Sequence, residues 1–242
     1  MDNLRIKIFA DGADIGGMKE VYKAGHVSGF TTNPTLMKKA GVTDFSTFAK
    51  EAVRSFPNLP LSFEVMADDF AAMEREARAI GSWGENVYIK IPITNTKGES
   101  SASLIRRLSA EGLKLNITAI LTIAQVEEAL AALRPEVGAY VSVFAGRIAD
   151  TGVDPMPIMR EAAALCQAVS GVESIWASTR ELFNIFQAAD CGVDIITVTN
   201  DILNKLPLIG MDLTELSLET VKMFRRDAVN LGYRIEEDAD GQ

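Results

Sequence analysis

Histidine and cysteine are scarce in this chain. Its 242 residues include one histidine, His26, and two cysteines, Cys166 and Cys191. A single imidazole excludes the usual His-rich zinc and iron centres. Two cysteines are too few for a disulfide framework and lack metal-ligand spacing. Positive charge is short as well: 24 Lys and Arg stand against 33 Asp and Glu, a formal net charge of −9 with a pI near 4.8. That balance excludes nucleic acid and anionic membrane surfaces as partners, since both require a basic face. No apolar run approaches the roughly 18 residues of a membrane span. The opening MDNLRIKIF has no charged-then-apolar secretory plan and reads as a strand beginning at once. These absences leave a globular, cytoplasmic protein of a reducing compartment.

What the chain does contain is alternation. Short β-like runs occur at Arg5–Asp11, Gly29–Asn33, Leu61–Ala67, Val87–Thr94, Lys114–Ile120, Ala139–Ala145, Ser174–Ser178 and Asp194–Thr199. Between them lie stretches of 3.6-residue periodicity, among them Asp68–Ile80, Ser101–Glu111, Thr122–Leu133 and Pro155–Val169. Thr122 with Gln125 three residues on suggests a capping box, and Asp154-Pro155 offers a cap followed by proline. Strict β/α alternation implies parallel strands, because each crossover returns the chain to the same end of the sheet. Eight such units in 242 residues predict an α/β fold, a single (β/α)8 TIM barrel, whose usual length is about 250 residues. An open doubly wound sheet would carry a Gly-rich fingerprint after its first strand, and Asp11–Gly17 does not match one. Leu213, Leu216, Val221, Phe224 and Ala228 form a helical stripe that predicts a C-terminal helix packing on the barrel or on a neighbouring subunit. The catalytic domain is expected over residues 1–235, with an acidic, flexible tail over 236–242.

Side chains alternate between the two faces of a strand, so residue parity sorts each run into two sets. In the fourth run Val87, Ile89, Ile91 and Ile93 oppose Tyr88, Lys90 and Pro92. The same sorting separates Leu61, Phe63 and Val65 from Ser62, Glu64 and Met66, and Leu115, Ile117 and Ala119 from Asn116 and Thr118. Val141, Val143 and Ala145 oppose Ser142 and Phe144, and Ile6, Ile8 and Ala10 oppose Lys7, Phe9 and Asp11. The apolar sets suit an outer layer of helices. The other sets then point inward, placing Asp11, Glu64, Lys90, Asn116, Thr118 and Ser142 toward the strands' C-terminal halves, where barrels of this type carry their chemistry. Half-exposed strands with a wetted polar face are the alternative, and helical crossovers that bury both faces argue against it.

A lysine inside Val-Tyr-Ile-Lys-Ile-Pro-Ile loses hydration, which disfavours ammonium and lowers the pKa. A neutral amine attacks a carbonyl and forms an imine that withdraws electrons from neighbouring carbons, while adjacent carboxylates can move the protons required. A buried salt bridge of Lys90 with Asp11 or Glu64 is the structural alternative, and it is a poor way to stabilise a core.

The ordered set Asp11, Thr31-Thr32-Asn33-Pro34, Ser62-Phe63-Glu64-Val65, Val87-Tyr88-Ile89-Lys90-Ile91-Pro92, Leu115-Asn116-Ile117-Thr118, Phe144-Ala145-Gly146-Arg147-Ile148 and Ala177-Ser178-Thr179-Arg180 resembles the transaldolase family, including its short-chain members and the related fructose-6-phosphate aldolases. The set covers nearly the whole chain. The resemblance implies a (β/α)8 enzyme, independent of metal or other cofactor, that carries a dihydroxyacetone unit on Lys90 as a Schiff base. It implies Glu64 as acid/base through a water held by Thr118, and Asp11 as the group that handles the donor hydroxyl proton. Thr32, Asn33, Asn116, Ser142 and Phe144 would surround the three-carbon unit. Arg147, Ser178 and Arg180 would hold a sugar phosphate, a role suited to guanidinium forks; a surface salt bridge is the alternative for each arginine.

Glu64 and Phe144 are of the transaldolase type, whereas the aldolase branch has glutamine and tyrosine there. The resemblance therefore implies transfer from a ketose phosphate, such as fructose 6-phosphate or sedoheptulose 7-phosphate, to an aldose phosphate, with free aldol cleavage as the second reading. Thr179, Ala119-Ile120-Leu121 and Val143 depart from the common pattern around the pocket, which leaves room for a modified, for example sulfonated, sugar. A catalytically idle sugar-phosphate-binding barrel and a metal-dependent aldolase are the competing classes. The resemblance also implies a homo-oligomer, a decamer as among ring-forming short members or a dimer as among longer ones. His26 reads as an ordinary loop residue, and both cysteines as small buried apolar groups.

Overall fold

The computed structural model describes residues 5–232. Eight parallel strands close into a barrel in sequence order, β1-β2-β3-β4-β5-β6-β7-β8, with β8 paired back onto β1. The strands are β1 Lys7–Asp11, β2 Gly29–Thr31, β3 Leu61–Glu64, β4 Val87–Pro92, β5 Leu115–Ile120, β6 Ala139–Val143, β7 Val172–Trp176 and β8 Ile195–Thr199. Helices α1 Ile15–Lys23, α2 Pro34–Lys39 and α3 Phe45–Ser55 flank β2. α4 Phe70–Gly81, α5 Ala102–Ala110 and α6 Ile123–Ala132 follow β3, β4 and β5. α7 Ala145–Ala149 and α8 Met156–Gln167 follow β6, and α9 Asn184–Asp190 and α10 Asn200–Leu203 follow β7 and β8. Residues up to Asn204 form one compact unit and those from Lys205 onward a second. Within the second, α11 Leu213–Leu231 starts on an Asp212 cap and ends at Gly232 in the left-handed region. None of its residues is buried, and Leu213, Leu218, Val221, Phe224 and Leu231 are exposed. The acidic tail expected over 236–242 lies outside the described residues.

The eight strands, and the helical stretches expected between them, fall where alternation predicts, with trimmed ends. Thr32 and Asn33 leave β2 because Asn33 Oδ1 caps α2, accepting from Leu36 N at 3.0 Å, with Pro34 at the first helical position. Residues 65–67 leave β3 because the Glu76 carboxylate takes the amides of Met66 and Ala67 at 2.7 and 2.9 Å. β7 lies two residues earlier than expected, since Ser178 adopts φ 64° and cannot be extended. The capping box at Thr122 and Gln125 is present. Asp154 Oδ1 accepts from Met156 N at 3.0 Å, but the N-cap position of α8 falls on Pro155 itself, one residue later than expected, and carries no side-chain cap bond.

Parity holds around the ring except at Ala119, expected on the outer face, which turns inward where β5 slips its register against β6. Ile89, Ile91, Leu115, Ile117, Val141 and Val143 are fully buried, the outer set on which the helices pack. On the inner face each of three strands carries an aromatic two residues before its polar residue: Phe9 before Asp11, Tyr88 before Lys90, Tyr140 before Ser142. One inward step is roughly 6.6 Å along a strand, so the aromatics form a floor beneath the polar groups. Tyr88 and Tyr140 stack at 4.0 Å and 14°, and Phe9 meets Tyr140 edge-on at 5.8 Å. Gly29 makes room for this floor, because a Cβ there would lie 2.6 Å from the Phe9 ring. Ile175, Ala177 and Ile195 complete the cluster.

Outside the ring Phe63 is completely buried and meets Phe45, Phe48 and Trp83 edge-on at 5.8–6.5 Å. Phe63→Ala removes the ring that anchors β3 to its helices and should lower unfolding free energy by about 3–5 kcal/mol. Urea unfolding followed by tryptophan fluorescence measures this, and a loss below about 1 kcal/mol would show that the cluster does not hold the strand.

Candidate functional site

Above the aromatic floor the barrel opens into a cavity of about 360 Å³ at the C-terminal ends of the strands. β3 and β4 bring Glu64 and Lys90 into direct register. Lys90 is only 6% exposed; its Nζ donates to the Thr32 carbonyl at 2.9 Å and lies 3.3 Å from Glu64 Oε2. The ammonium has three donors, so one remains for a ligand. The buried ion pair considered from the sequence is thus present, and it sits in the cavity wall. A pair in that position can exchange a proton while the nitrogen reaches a carbonyl carbon.

Asp11, at the end of β1, accepts from Thr31 Oγ1 at 2.9 Å, and Thr31 Oγ1 is also hydrogen-bonded to Thr197 Oγ1. Burial pushes the Asp11 carboxyl above its ordinary value; Lys90 and Thr31 oppose the shift and the Glu64 charge adds to it. Thr118 Oγ1 is buried in the cavity wall without a protein partner, a hydroxyl that a bound water or ligand would satisfy. Ser142 donates to Asn116 Oδ1 at 2.7 Å, and Asn116 Nδ2 donates to Ser62 Oγ at 3.0 Å.

The rim is cationic. Arg147 stands at the middle of the short α7, and its guanidinium lies over the Phe144 ring at 5.8 Å. Arg180, from the loop after β7, donates Nε and Nη2 to Asp150 at 3.0 and 2.5 Å, and Nη1 to the Ser178 carbonyl at 3.0 Å. That pair holds the Asp150 carboxyl below its ordinary range and the Arg180 guanidinium above its own. Arg180 therefore has the salt bridge weighed as its alternative, yet two of its five N–H groups stay uncommitted. Gly146 lets the two rim segments approach: a Cβ there would stand 1.6 Å from the Ser178 carbonyl oxygen.

Of the residues expected at the site, Asp11, Asn33, Glu64, Lys90, Thr118, Ser142, Phe144, Arg147, Ser178 and Arg180 all line one cavity. Thr32 and Asn116 are not among its lining residues. Thr32 sits behind Lys90 and offers its carbonyl, while Asn116, fully buried, has both ends of its amide engaged by Ser62 and Ser142. Asn33 lines the cavity with Oδ1 already committed to its cap. Sequence reasoning missed Thr31, Thr197, Thr199 and the Asp150 partner of Arg180. Alternation in Ile195–Thr199 could have found the two β8 threonines; nothing local announces Asp150. Ala119 also lines the cavity, at φ 60°, within the irregular register of β5 against β6. Thr179 Oγ1 donates to the Thr197 carbonyl at 2.7 Å.

His26 is exposed between α1 and β2, remote in sequence from these groups, and both cysteines are buried. Among the described residues no group of His, Cys, Asp and Glu could hold a metal ion, and no helix is long and apolar enough to cross a membrane.

Residues 8–235 match the family model described as Transaldolase/Fructose-6-phosphate aldolase. A relative from Methanococcus maripaludis (strain C5), named "Probable transaldolase", is 39% identical over 204 residues, 83% of this chain and 89% of its own. A relative of the same name from Thermoanaerobacter sp. (strain X514) is 35% identical over 232 residues, 95% of this chain and 100% of its own. The solved 3-keto-L-gulonate-6-phosphate decarboxylase of Vibrio cholerae O1 biovar El Tor superposes with a TM-score of 0.52 at 13% identity, over 81% of this chain and 87% of that one. That likeness shows the barrel fold alone.

Because its raised pKa makes ionised Asp11 a burden on the folded state, the burden grows as pH rises from the ordinary aspartate value through the folded one. Asp11→Asn should therefore melt at a higher temperature than the parent at pH 7, and the gain should vanish below about pH 4, where both states carry the proton. Thermal melts across this range test it; a gain that does not change with pH would assign the effect to packing.

Proposed function

Because this chain belongs to the transaldolase/fructose-6-phosphate aldolase family, we propose that it transfers a dihydroxyacetone unit from a ketose phosphate to an aldose phosphate through an imine on Lys90. The carrying observation is the Lys90–Glu64 pair in the wall of a cavity whose rim holds Arg147 and Arg180. Glu64 Oε2, 3.3 Å from Nζ, takes the ammonium proton, and the freed lone pair adds to the ketose carbonyl. The resulting carbinolamine loses its hydroxyl as water, with a proton returned by Glu64 through a water on the Thr118 hydroxyl. Asp11 then takes the proton of the hydroxyl on the carbon to be released. The carbon–carbon bond breaks, its electron pair moves into the iminium to give an enamine, and an aldehyde departs. Addition of a second aldehyde runs these steps backwards, and water frees the product.

Ser142, fixed through Asn116, and Asn33 Nδ2 bind the hydroxyls of the three-carbon unit, while Phe144 leaves no phenol to protonate the enamine. The uncommitted donors of Arg180, with Arg147 and Ser178, hold the substrate phosphate. The enzyme is cytoplasmic, uses no cofactor and works as a homo-oligomer, dimer or decamer, a reading supported by the exposed apolar side chains of α11.

Borohydride reduction in the presence of fructose 6-phosphate should leave a three-carbon or six-carbon adduct on Lys90, found by peptide mass, and Lys90→Ala should lose adduct and turnover while keeping its fold. Absence of the adduct from the parent protein overturns the imine. In a donor-by-acceptor panel, dihydroxyacetone release without acceptor should be slow compared with transfer; equal rates would make the enzyme an aldolase. Arg180→Ala should raise KM for phosphorylated donors by about tenfold or more, with a smaller effect on kcat. An unchanged KM would remove Arg180 from the anion site.

A further inference from the structure

Asp11 is served by the two strands that hydrogen-bond to its own. β2 contributes Thr31, whose Oγ1 lies 2.9 Å from Asp11 Oδ1, and β8 contributes Thr197, whose Oγ1 is hydrogen-bonded to Thr31 Oγ1. Both threonines are buried, and both border the cavity. A hydroxyl owns one hydrogen and can accept as well as donate, so the direction of each bond follows from the state of the acid. An ionised Asp11 only accepts: Thr31 donates to it, and Thr197 must donate to Thr31. An Asp11 protonated on Oδ1 donates to Thr31 Oγ1, which turns its own hydrogen to Thr197. No atom leaves the chain and no buried polar group is stranded in either state. A lysine or arginine at position 31 would satisfy the ionised state alone.

We propose that Thr31 and Thr197 are positioning residues for Asp11, a reversible two-hydroxyl chain that keeps its carboxyl oriented while it takes up and returns a proton. The proposal rests on the proton-transfer role given to Asp11 above. The charged groups acting on Asp11 are Lys90 from β4 and Glu64 from β3. β2, β8 and α10, the elements against β1, bring Thr31, Thr197, Thr199 and Asp201, and Asp201 already accepts from Thr199 Oγ1. Thr31 is thus the neutral group hydrogen-bonded to this carboxyl, and Thr197 is joined to it through Thr31 by a second hydrogen bond that can reverse.

The test is the pH profile of kcat/KM for the parent, Thr31→Val, Thr197→Val, Thr31→Ser and Thr197→Ser, with borohydride trapping on the same samples. Thr31→Val should lower kcat about tenfold with little change in KM, and should move the acid limb to higher pH, because ionised Asp11 loses its donor. Thr197→Val should shift the limb in the same direction by less, since it acts through Thr31. Both serine variants should restore rate and limb together. An acid limb that stays in place in the folded valine variants, or serine variants as impaired as valine ones, overturns the hydroxyl chain. If Thr31→Val does not fold, the Thr197 pair alone decides. Trapping separates the two levels: a parent protein that forms the Lys90 adduct while the limb stays fixed loses only the chain, whereas a parent without adduct loses the imine reading itself.

Discussion

An ammonium taken from water into a ring of parallel strands must be compensated inside it, and that requirement organises the interior of this protein. Lys90 meets it with a main-chain carbonyl from the residue after β2 and with the carboxylate directly across the β3–β4 register. The carbonyl of Thr32 is available because β2 stops at Thr31, and β2 stops there because Asn33 turns to cap α2. A capping choice at the edge of the cavity therefore reaches the nitrogen at the centre. The aromatic floor completes the enclosure from the other end, with Tyr88 one inward step below Lys90 on the same strand.

Charge is distributed in two tiers. The lower holds Lys90, Glu64 and Asp11, close enough that each acts on the others. The upper holds two guanidinium groups fixed by different means, one over an aromatic face and one in the fork of a carboxylate. A protein of net charge −9 offers little long-range attraction to an anion, so in the function proposed above the capture of a phosphate falls to those local groups. Fixing them beforehand removes part of the entropy that binding would otherwise cost.

Much of this was legible in the sequence because two periodicities carry it. Eight alternations gave the barrel, and parity within five runs sent Asp11, Glu64, Lys90, Asn116, Thr118 and Ser142 to the inner face. The same rule applied to Ile195–Thr199 would have added Thr197 and Thr199. Depth along the strand was harder to see: Asn116 and Ser142 share an inner face, yet only Ser142 reaches the cavity, because Asn116 is spanned by two serines. The hold of Asp150 on Arg180 joins residues 30 apart on different rim segments, and the stacking of Tyr88 on Tyr140 exists only once the ring has closed. The true end of β7 was hidden in the left-handed Ser178, which no neighbouring residue type advertises.

Ala119 limits how this pocket can diversify. Its φ of 60° follows Thr118 directly, at a break in strand register. Glycine, asparagine and aspartate tolerate that backbone, whereas valine, isoleucine and threonine strain it. Saturating position 119 in a search for new acceptors would thus yield a narrow set of folded variants, and most large or branched choices would disturb the neighbouring hydroxyl before they touched a substrate. Thr179 on the same wall is bound differently: its own backbone is not inverted, but it follows the left-handed Ser178 and its hydroxyl is committed to the Thr197 carbonyl, so a replacement there gives up that tie to β8.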